Sequence, residues 1–392
     1  MKQRITIILM GLGLYLVSAG ISYAAFSLFP SPLGLTRVVS PVPKVSPVQK
    51  VKIKVDPSVP RDQICPLNGE KYTKQEKDIW DSRRPLAVMI ENSDEARPQS
   101  GLSRADIVYE ALAEGWITRF MAVYYCNTPM ENIIFAPVRS ARTYFVDWVS
   151  EYDALYLHVG GANRFGENAD KTDPRADAIG QIDRYGIKDM DQMGIGYPDC
   201  YRNPDRLDHP VKTEHTMICF SENIYKLAEK RNGWTEVDDR GIRWDKNFKE
   251  WTYKDDGKEK GSTNKIKLVF AEGYDKYDVE WDFDPSTNSY KRTNGGTPHL
   301  DLETKEQLAA RNVVVQLTKL IGPVDSDGHF LYTTIGSGKA LIFQDGKVIV
   351  GSWSKKTRID RTKFFDATGK EMAFNRGLTW MEILPSEQQV TY

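Results

Sequence analysis

The chain has 392 residues, of which 40% are hydrophobic and 27% are charged, as in an ordinary globular protein. Its formal net charge at pH 7 is −1, which argues against a general polyanion binder because nucleic-acid-binding proteins carry a basic excess. We therefore expect no nucleic-acid partner, and any anion site must be local.

The first 30 residues predict a membrane segment. Lys2 and Arg4 precede an apolar run over residues 5–29, which is long enough to span a bilayer. The positive-inside rule then leaves the N-terminus in the cytoplasm and the bulk of the chain outside it. Ser-Tyr-Ala at residues 22–24 also fits a signal-peptidase site, so the segment is either a single-pass anchor or a cleaved signal. No cysteine lies near its end, which excludes a lipid-modified N-terminus.

Residues 31–60 are rich in Pro and Val, and proline at this density favours an extended spacer. The remainder is long enough for two domains, which we place at residues 61–240 and 262–392. The predicted fold class is an α/β (α+β) N-terminal domain with a βαβ unit, followed by a mostly antiparallel β C-terminal domain.

The four cysteines are an even number in a chain predicted to be exported. They permit two disulfides in any of three pairings, among Cys65, Cys126, Cys200 and Cys219. A zinc site is the alternative, from Cys200, His209, His215 and Cys219. That set lacks CxxC spacing, so we expect no metal site there.

The N-terminal domain begins with a continuous apolar run over residues 86–90, which predicts a buried strand ending in a polar loop over residues 91–101. Alternation from Asp106 and a second run over residues 117–125 predict a hairpin, although residues 104–112 also fit a helix. Loops that follow buried strands are where α/β proteins bind ligands.

The next segment predicts a strand over residues 133–136, an amphipathic helix over 141–152 and a second strand over 154–159. Strand, helix and strand with short links form a βαβ unit whose strands are parallel. Arg139 and Arg142 would then lie at the helix N-terminus, where free N–H groups also favour an anion. Both strands would end at one edge of the sheet, near His158 and the glycine pair that follows it.

In the C-terminal domain, short β-rich runs alternate with Asn-Gly, Asp-Gly, Thr-Gly and Arg-Gly turns, which predicts antiparallel hairpins. The predicted strands cover residues 265–270, 313–318, 340–343, 347–350 and 380–384. We find no catalytic constellation in this part of the sequence.

The candidate ligand-binding residues are the polar and glycine residues predicted to meet at one sheet edge: Asn92, Arg97, Arg119, Arg139, Arg142, His158, Gly160, Gly161 and His215. The alternative is structural, with the arginines paired to Glu110, Glu114 or Asp153 and the histidines hydrogen-bonded in the core. If the protein is an enzyme, Glu110 and His158 are the candidate bases.

Several motifs resemble the YerB-like family of bacterial envelope lipoproteins, which is a two-domain family without an established function. They are LAVMIEN (86–92), ARPQSGLSRADIVYE (96–110), ITRF (117–120), PVRSAR (137–142), YDALY (152–156), RNVVV (311–315), GSW (351–353) and GLTW (377–380). The chain departs from the family pattern at Glu91, where Asp is usual, at Trp116, where Gly is usual, and in having a membrane span instead of a lipid. The resemblance implies an exported, membrane-attached protein with two domains, and it implies no activity.

These observations predict a membrane-anchored envelope protein that binds an anionic ligand bearing phosphate, or a wall polymer, without catalysis and without a cofactor. One alternative is a metal-dependent phosphotransferase or hydrolase acting on envelope precursors, which would use a divalent metal such as Mg²⁺. A second alternative is a protein-interaction scaffold with structural arginines.

Overall fold

A computed structural model describes Asp56 and residues 58–127 and 132–392. The predicted anchor over residues 1–30 and the linker up to residue 55 lie outside the described residues. Within the described part of the chain, no helix has the length and apolar character needed to cross a membrane. The described residues belong to one compact unit.

The described residues form short α-helices: α1 (Lys74–Trp80), α2 (Thr143–Val149), α3 (Ala178–Tyr185) and α4 (Ser221–Asn232). Their strands, in chain order, are β1 (Gln63–Ile64), β2 (Lys71–Tyr72), β3 (Leu86–Glu91), β4 (Ile107–Leu112), β5 (Thr118–Tyr124), β6 (Ile134–Phe135), β7 (Leu155–His158), β8 (Lys188–Asp191), β9 (Cys200–Arg202), β10 (Met217–Phe220), β11 (Thr252–Lys254), β12 (Lys265–Leu268), β13 (Val279–Asp284), β14 (Ser289–Asn294), β15 (Thr297–Pro298), β16 (Ala309–Ala310), β17 (Asn312–Leu317), β18 (Leu320–Ile321), β19 (Leu331–Tyr332), β20 (Gly336–Gln344), β21 (Lys347–Lys355), β22 (Lys363–Phe365), β23 (Ala373–Asn375), β24 (Thr379–Leu384) and β25 (Val390–Thr391).

A ten-stranded mixed sheet in the order β22-β21-β20-β17-β24-β4-β5-β3-β7-β8 organises the molecule. Strands β3, β4, β7, β8, β17, β21 and β24 run in one direction, and β5, β20 and β22 run in the other. Every residue of β3, β4, β5 and β24 is buried, because both faces of the sheet are covered at its centre.

The two faces of the central strands have different covers. On one face, Trp148 of α2 stacks on Tyr109 of β4 with ring centroids 5.4 Å apart. On the other face, Trp281 of β13 packs edge-on against Trp380 of β24 at 5.3 Å. Trp281 belongs to a six-stranded antiparallel sheet, formed by β15-β14-β13-β12-β25 with β16 beside β14. The N-terminal part is therefore mixed α/β and the C-terminal part is mostly β.

The predicted hairpin is confirmed, because β4 and β5 are antiparallel, and the helical alternative for residues 104–112 is wrong. The β-rich runs of the C-terminal part are also confirmed as strands. The hairpin pattern, however, does not predict how β24 pairs. It is parallel to both β17 and β4, so the two parts of the chain share one sheet.

The predicted βαβ unit over residues 133–159 is wrong in its first strand. Strand β6 lies in a separate three-stranded sheet, antiparallel to β10, and is followed by Pro137. Proline has no N–H for a sheet ladder, so the strand ends there. The βαβ unit of the main sheet is instead β7-α3-β8, in which the two strands are parallel.

Helix α2 is shorter than the predicted 141–152, and Arg142 is its N-cap residue, without a side-chain cap hydrogen bond. The sequence also gave no prediction of α3, although its signals are present. Asp177 accepts a hydrogen bond from the N–H of Gly180 at 3.0 Å, and Gly186 ends the helix with φ of +60°.

The cysteines form disulfides between Cys65 and Cys126 and between Cys200 and Cys219. Cys200 and Cys219 are direct neighbours on β9 and β10. Because both sulfurs are bonded, the zinc alternative built on this pair is excluded.

An ion pair between Glu110 and Arg292 lies inside the core, with both side chains 0% exposed and with 2.5 Å between Glu110 Oε2 and Arg292 Nη2. Arg292 also donates a hydrogen bond to His299, whose Nε2 lies 2.7 Å from Gln99 Oε1. Burial, and next the charge of Arg292, lower the pKa of His299 well below its ordinary value, so this imidazole is neutral. Since Glu110 is on β4 and Arg292 on β14, the network joins the two parts of the chain.

Glu382 of β24 lies directly opposite Glu110 in the parallel pairing with β4. Its Oε1 accepts a hydrogen bond of 2.8 Å from Trp281 Nε1. Burial, and next the negative charge of Glu110, raise the pKa of Glu382 well above its usual value. Glu382 therefore favours its protonated form beside the Glu110 carboxyl group.

Replacing Glu382 by Gln is expected to make the free energy of unfolding fall less steeply as the pH rises above 4.5. The folded state keeps a proton that the unfolded chain releases near pH 4.5, so the free energy of unfolding falls as the pH rises above that value. The amide has no such proton, and the slope should be smaller by up to about 1.4 kcal/mol per pH unit. Urea unfolding at a series of pH values measures this slope.

The control is Glu387→Gln, because Glu387 lies at the surface beside Lys339. Its slope should equal that of the parent chain. Equal slopes for both variants would contradict a protonated Glu382.

Candidate anion site at the carboxyl edge of the sheet

Strands β3, β4 and β7 end at the same edge of the main sheet, which we call the carboxyl edge. The segment Val138–Ala141 crosses this edge between β3 and β7. The N–H of Arg139 donates to Met89 O at 2.9 Å, and Arg139 O accepts from the N–H of Val159 at 3.0 Å. The predicted proximity of Arg139 to the end of β7 is therefore confirmed, although a different topology produces it.

The glycine pair has a packing role at this edge. The N–H of Ala141 donates to Gly160 O at 2.9 Å, and Gly160 has φ of +54°. A Cβ atom on Gly161 would lie 2.9 Å from Ile179 Cδ1 and 3.2 Å from Ala141 Cβ. The positive φ accounts for Gly160 and close packing accounts for Gly161, in both cases without a ligand.

Arg119, Arg139 and Arg142 form the arginine cluster of this edge. Arg142 makes a bidentate ion pair with Glu114, with 2.6 Å between its Nη2 and Glu114 Oε2. Arg119 Nη2 lies 3.5 Å from the same carboxylate, and Arg139 Nε lies 3.4 Å from Glu91 Oε1. The alternative prediction of a structural ion pair is therefore confirmed for Arg142 with Glu114. Glu110 and Asp153 pair with basic residues outside the arginine cluster.

Charges within the cluster perturb one another. Burial alone would raise the pKa of Glu114, but Arg142 and then Arg119 hold it well below its usual value. Burial, and next the positive charge of Arg142, lower the pKa of Arg119, and Arg139 adds to this effect. The positive charge of the three guanidinium groups thus exceeds the negative charge of the two carboxylates nearest to them, so the cluster carries a net positive charge.

Arg139 is the most exposed member of the cluster, with 25% of its side chain exposed. His215 lies beside it, with Nδ1 2.8 Å from Glu91 Oε2 and Nε2 3.5 Å from Glu95 Oε2. The hydrogen bond with Glu91 raises the pKa of His215 above its ordinary value, so protonation adds to the positive charge. Glu91 therefore contacts both basic side chains, Arg139 and His215. The sequence analysis did not include Glu91 among the site residues.

His158 is 0% exposed, with Nε2 2.9 Å from Asp189 Oδ1 and Nδ1 2.8 Å from Gly160 O. Asp191, which lies on β8 together with Asp189, accepts a hydrogen bond from the N–H of Gly160 at 2.8 Å. His158 therefore fixes β7 against β8 and the glycine turn. Residues 188–191, Lys-Asp-Met-Asp, are too short and too polar a segment to have predicted this strand or these partners.

Asn92 and Arg97 do not join the arginine cluster. Asn92 is buried and donates to Thr118 Oγ1 at 2.7 Å and to Glu110 Oε1 at 3.3 Å. Arg97 donates to Asn92 Oδ1 at 3.1 Å, and burial, followed by the charge of Arg292, lowers its pKa to about 10. It lines a separate groove of about 170 Å³, together with Pro98, Asn294, Thr297, Pro298, His299 and Leu300.

Among residues 58–127 and 132–392, one group of three side chains of metal-ligand type lies close enough together to hold an ion, and it consists of Cys65, Asp106 and Cys126. The disulfide between the two cysteines occupies both sulfurs, so this group does not fit a metal ion.

Comparisons with known proteins agree with this architecture. Residues 67–233 match the N-terminal domain, and residues 266–381 the C-terminal domain, of the family described as "Protein of unknown function (DUF3048)". The chain is 30% identical over 334 residues to the "Putative lipoprotein YerB" of Bacillus subtilis (strain 168), which covers 84% of this chain and 88% of that protein. The crystal structure of YerB from Bacillus subtilis matches with a TM-score of 0.67 and 26% identity, over 84% of this chain and 99% of that chain.

The fold is thus that of a two-part protein built on one mixed sheet, with charged residues at its carboxyl edge. The chain belongs to the YerB-like DUF3048 family.

Replacing Arg142 by Ala should destabilise the protein far more than replacing Arg139 by Ala. Arg142→Ala leaves Glu114 mostly buried, with Arg119 at 3.5 Å and His329 at 3.9 Å as its distant partners, which should cost about 3 kcal/mol of unfolding free energy. Arg139→Ala removes a longer contact of 3.4 Å and leaves Glu91 its hydrogen bond with His215, so it should cost less than about 1 kcal/mol. Urea unfolding of both variants tests this difference, and equal losses would contradict it.

Replacing His215 by Gln is expected to change the pH dependence of stability. Because folding raises the pKa of His215, its contribution is complete below the unfolded value of 6.5 and is lost as the pH rises through the folded pKa. The variant should lack this loss above neutral pH. His209→Gln is the matched control, because His209 is exposed and should leave the profile unchanged.

Proposed function

We propose that this protein acts outside the cytoplasm, attached to the cell envelope, and binds an anionic ligand at the carboxyl edge. Two disulfides fit an oxidising compartment. The name of the Bacillus subtilis relative, a lipoprotein, supports membrane attachment of the family. The predicted anchor over residues 1–30 would supply the attachment here, with the N-terminus in the cytoplasm.

The surplus of positive charge in the arginine cluster carries this proposal. Arg119 is buried, and burial, followed by repulsion from Arg142 and also from Arg139, lowers its pKa. An anion at this edge would relieve the repulsion and would face little competition from Glu114, which Arg142 already occupies. The ligand class that fits is a phosphate or a phosphate-bearing wall polymer, because guanidinium groups bind such oxygens in pairs.

Each side chain has a distinct role in this proposal. Arg139 contacts the ligand because it is the most exposed of the cluster. Arg119 contributes positive charge from the buried side of the cluster, and Arg142 keeps Glu114 in an ion pair. His215 strengthens binding when it is protonated. Binding without turnover is the better-supported reading, because the candidate bases Glu110 and His158 are both 0% exposed and hydrogen-bonded.

Thermal unfolding of the chain from Lys50 onward tests the proposal, with pyrophosphate, polyprenyl phosphate and wall polymer as probes, each with and without Mg²⁺. A probe that binds, at a concentration of about 100 times its dissociation constant, should raise the free energy of unfolding by about 2.7 kcal/mol. Arg139→Ala should abolish the shift while the fold remains intact.

Arg175→Ala is the control for a general loss of charge, since Arg175 is exposed and pairs with Asp173. It should retain the shift. A shift that survives Arg139→Ala, or no shift with any probe, would reject the site. Turnover of a probe that requires Mg²⁺ would favour the enzyme alternative.

A further inference from the structure

A lysine and an asparagine face each other on two paired strands of the C-terminal part. Strands β11 and β23 are parallel, and Lys254 is the direct neighbour of Asn375 in their register. Neighbours in a strand pair project from the same face, so the amine and the carboxamide meet. The two residues are 121 positions apart in the chain.

The contacts of this pair bring three reactive groups together. Lys254 Nζ lies 2.7 Å from Asn375 Oδ1 and 2.6 Å from Asp345 Oδ2. Asn375 Nδ2 donates to Asp345 Oδ1 at 3.0 Å. One carboxylate therefore touches both the amine and the amide nitrogen. Asn375 is 0% exposed and the Asp345 side chain is 7% exposed.

The surrounding structure holds these groups in place. Asn312 accepts from the N–H of Asn375 at 2.9 Å and donates to Asn375 O at 2.8 Å, which fixes its backbone on both sides. Asp345 lies at the tight turn between β20 and β21, with φ of +55°, and accepts from Asn288 Nδ2 at 2.9 Å. Such positioning turns a reaction between two side chains into an effectively unimolecular step.

We propose that Lys254 and Asn375 form an intramolecular isopeptide bond, with Asp345 as the proton-transfer group. The Lys254 ammonium gives a proton to Asp345, and the neutral amine attacks Cγ of Asn375. An N–Cγ bond forms, and the Cγ–Nδ2 bond breaks. The amide nitrogen takes up one proton from Asp345 and one from the attacking amine, and it leaves as an ammonium ion, which returns Asp345 to the carboxylate form. The reaction needs no oxidant, reductant or co-reactant.

The ionisation of Asp345 fits this role. Burial alone would raise its pKa, but hydrogen bonds from Lys254, Asn288 and Asn375 hold it well below its usual value. Asp345 is thus a carboxylate before reaction and is able to accept the proton. Because the resting ion pair is stable, the proton transfer is uphill, and we expect the bond to form slowly after folding.

A fully buried lysine, Lys355, lacks what the partly exposed Lys254 has beside it. Lys355 Nζ lies 2.8 Å from Glu151 Oε1, with both side chains 0% exposed. That partner is an ionised carboxylate, which has no ammonia to release and resists attack by an amine. Of these two sites, only that of Lys254 has an amide group next to the lysine and a separate carboxylate that can transfer a proton to the amide nitrogen.

Intact-mass measurement of the purified full-length protein, denatured and with its disulfides reduced, tests the proposal. The expected mass is below the sequence mass by one ammonia molecule, and proteolysis should release a branched peptide joining Lys254 to Asn375. A folded protein that keeps the full sequence mass after prolonged incubation would overturn the proposal, whatever any variant shows.

The matched variants are Lys254→Arg and Lys260→Arg. Arginine at 254 keeps the charge beside Asp345 but lacks a nucleophilic amine, so the mass loss should disappear. Lys260 Nζ lies 3.4 Å from Asp345 Oδ1, and its replacement should leave the mass loss unchanged. Loss of ammonia that persists in Lys254→Arg would come from another residue, such as succinimide formation at an asparagine before glycine, and would also overturn the proposal.

Discussion

The buried ion pair of Glu110 with Arg292 is the constraint on which the rest of the fold depends. Neither charge could remain in the core alone, because removing one partner of such a pair costs about 3–5 kcal/mol. Glu110 belongs to the N-terminal part and Arg292 to the C-terminal part, so each part completes the core of the other. Protonation of Glu382 follows from the same constraint, since a single arginine faces two carboxyl groups. The parallel pairing of β4 with β24 then makes the two family domains one structural unit.

The carboxyl edge applies the same electrostatics in a more exposed setting. Arg142 satisfies Glu114 and anchors the start of α2, while Arg119 remains buried near two like charges. Arg139 and His215 share the buried carboxylate of Glu91, and Arg139 is the one of these three side chains that is partly exposed. Buried charged side chains therefore support one partly exposed arginine at this edge, which is the residue that the proposed anion site uses.

The sequence predicted most elements of the fold, and its errors have identifiable causes. Strands β3 and β5 were predictable from apolar runs of strand length, whereas the alternation in β4 predicted a hairpin but also fitted a helix. The βαβ unit was assigned to the wrong strand because local periodicity carries no information about the partner of a two-residue strand. The proximity of Arg139 to His158 was predicted, whereas the separation of Arg97 from the cluster was not, since its partner Tyr277 comes from a distant segment.

By itself, the sequence determined the two-part organisation, the family, the β-rich C-terminal half and the presence of basic residues after buried strands. These features depend on periodicity, turn residues and contiguous motifs, all of which are local. The tertiary structure alone decided the cysteine pairing, the single ten-stranded sheet, the proximity of Glu110 to Glu382, and the meeting of Lys254 with Asn375. Each of these joins residues far apart in the chain, and their pairing depends on strand register and burial, which no local pattern encodes.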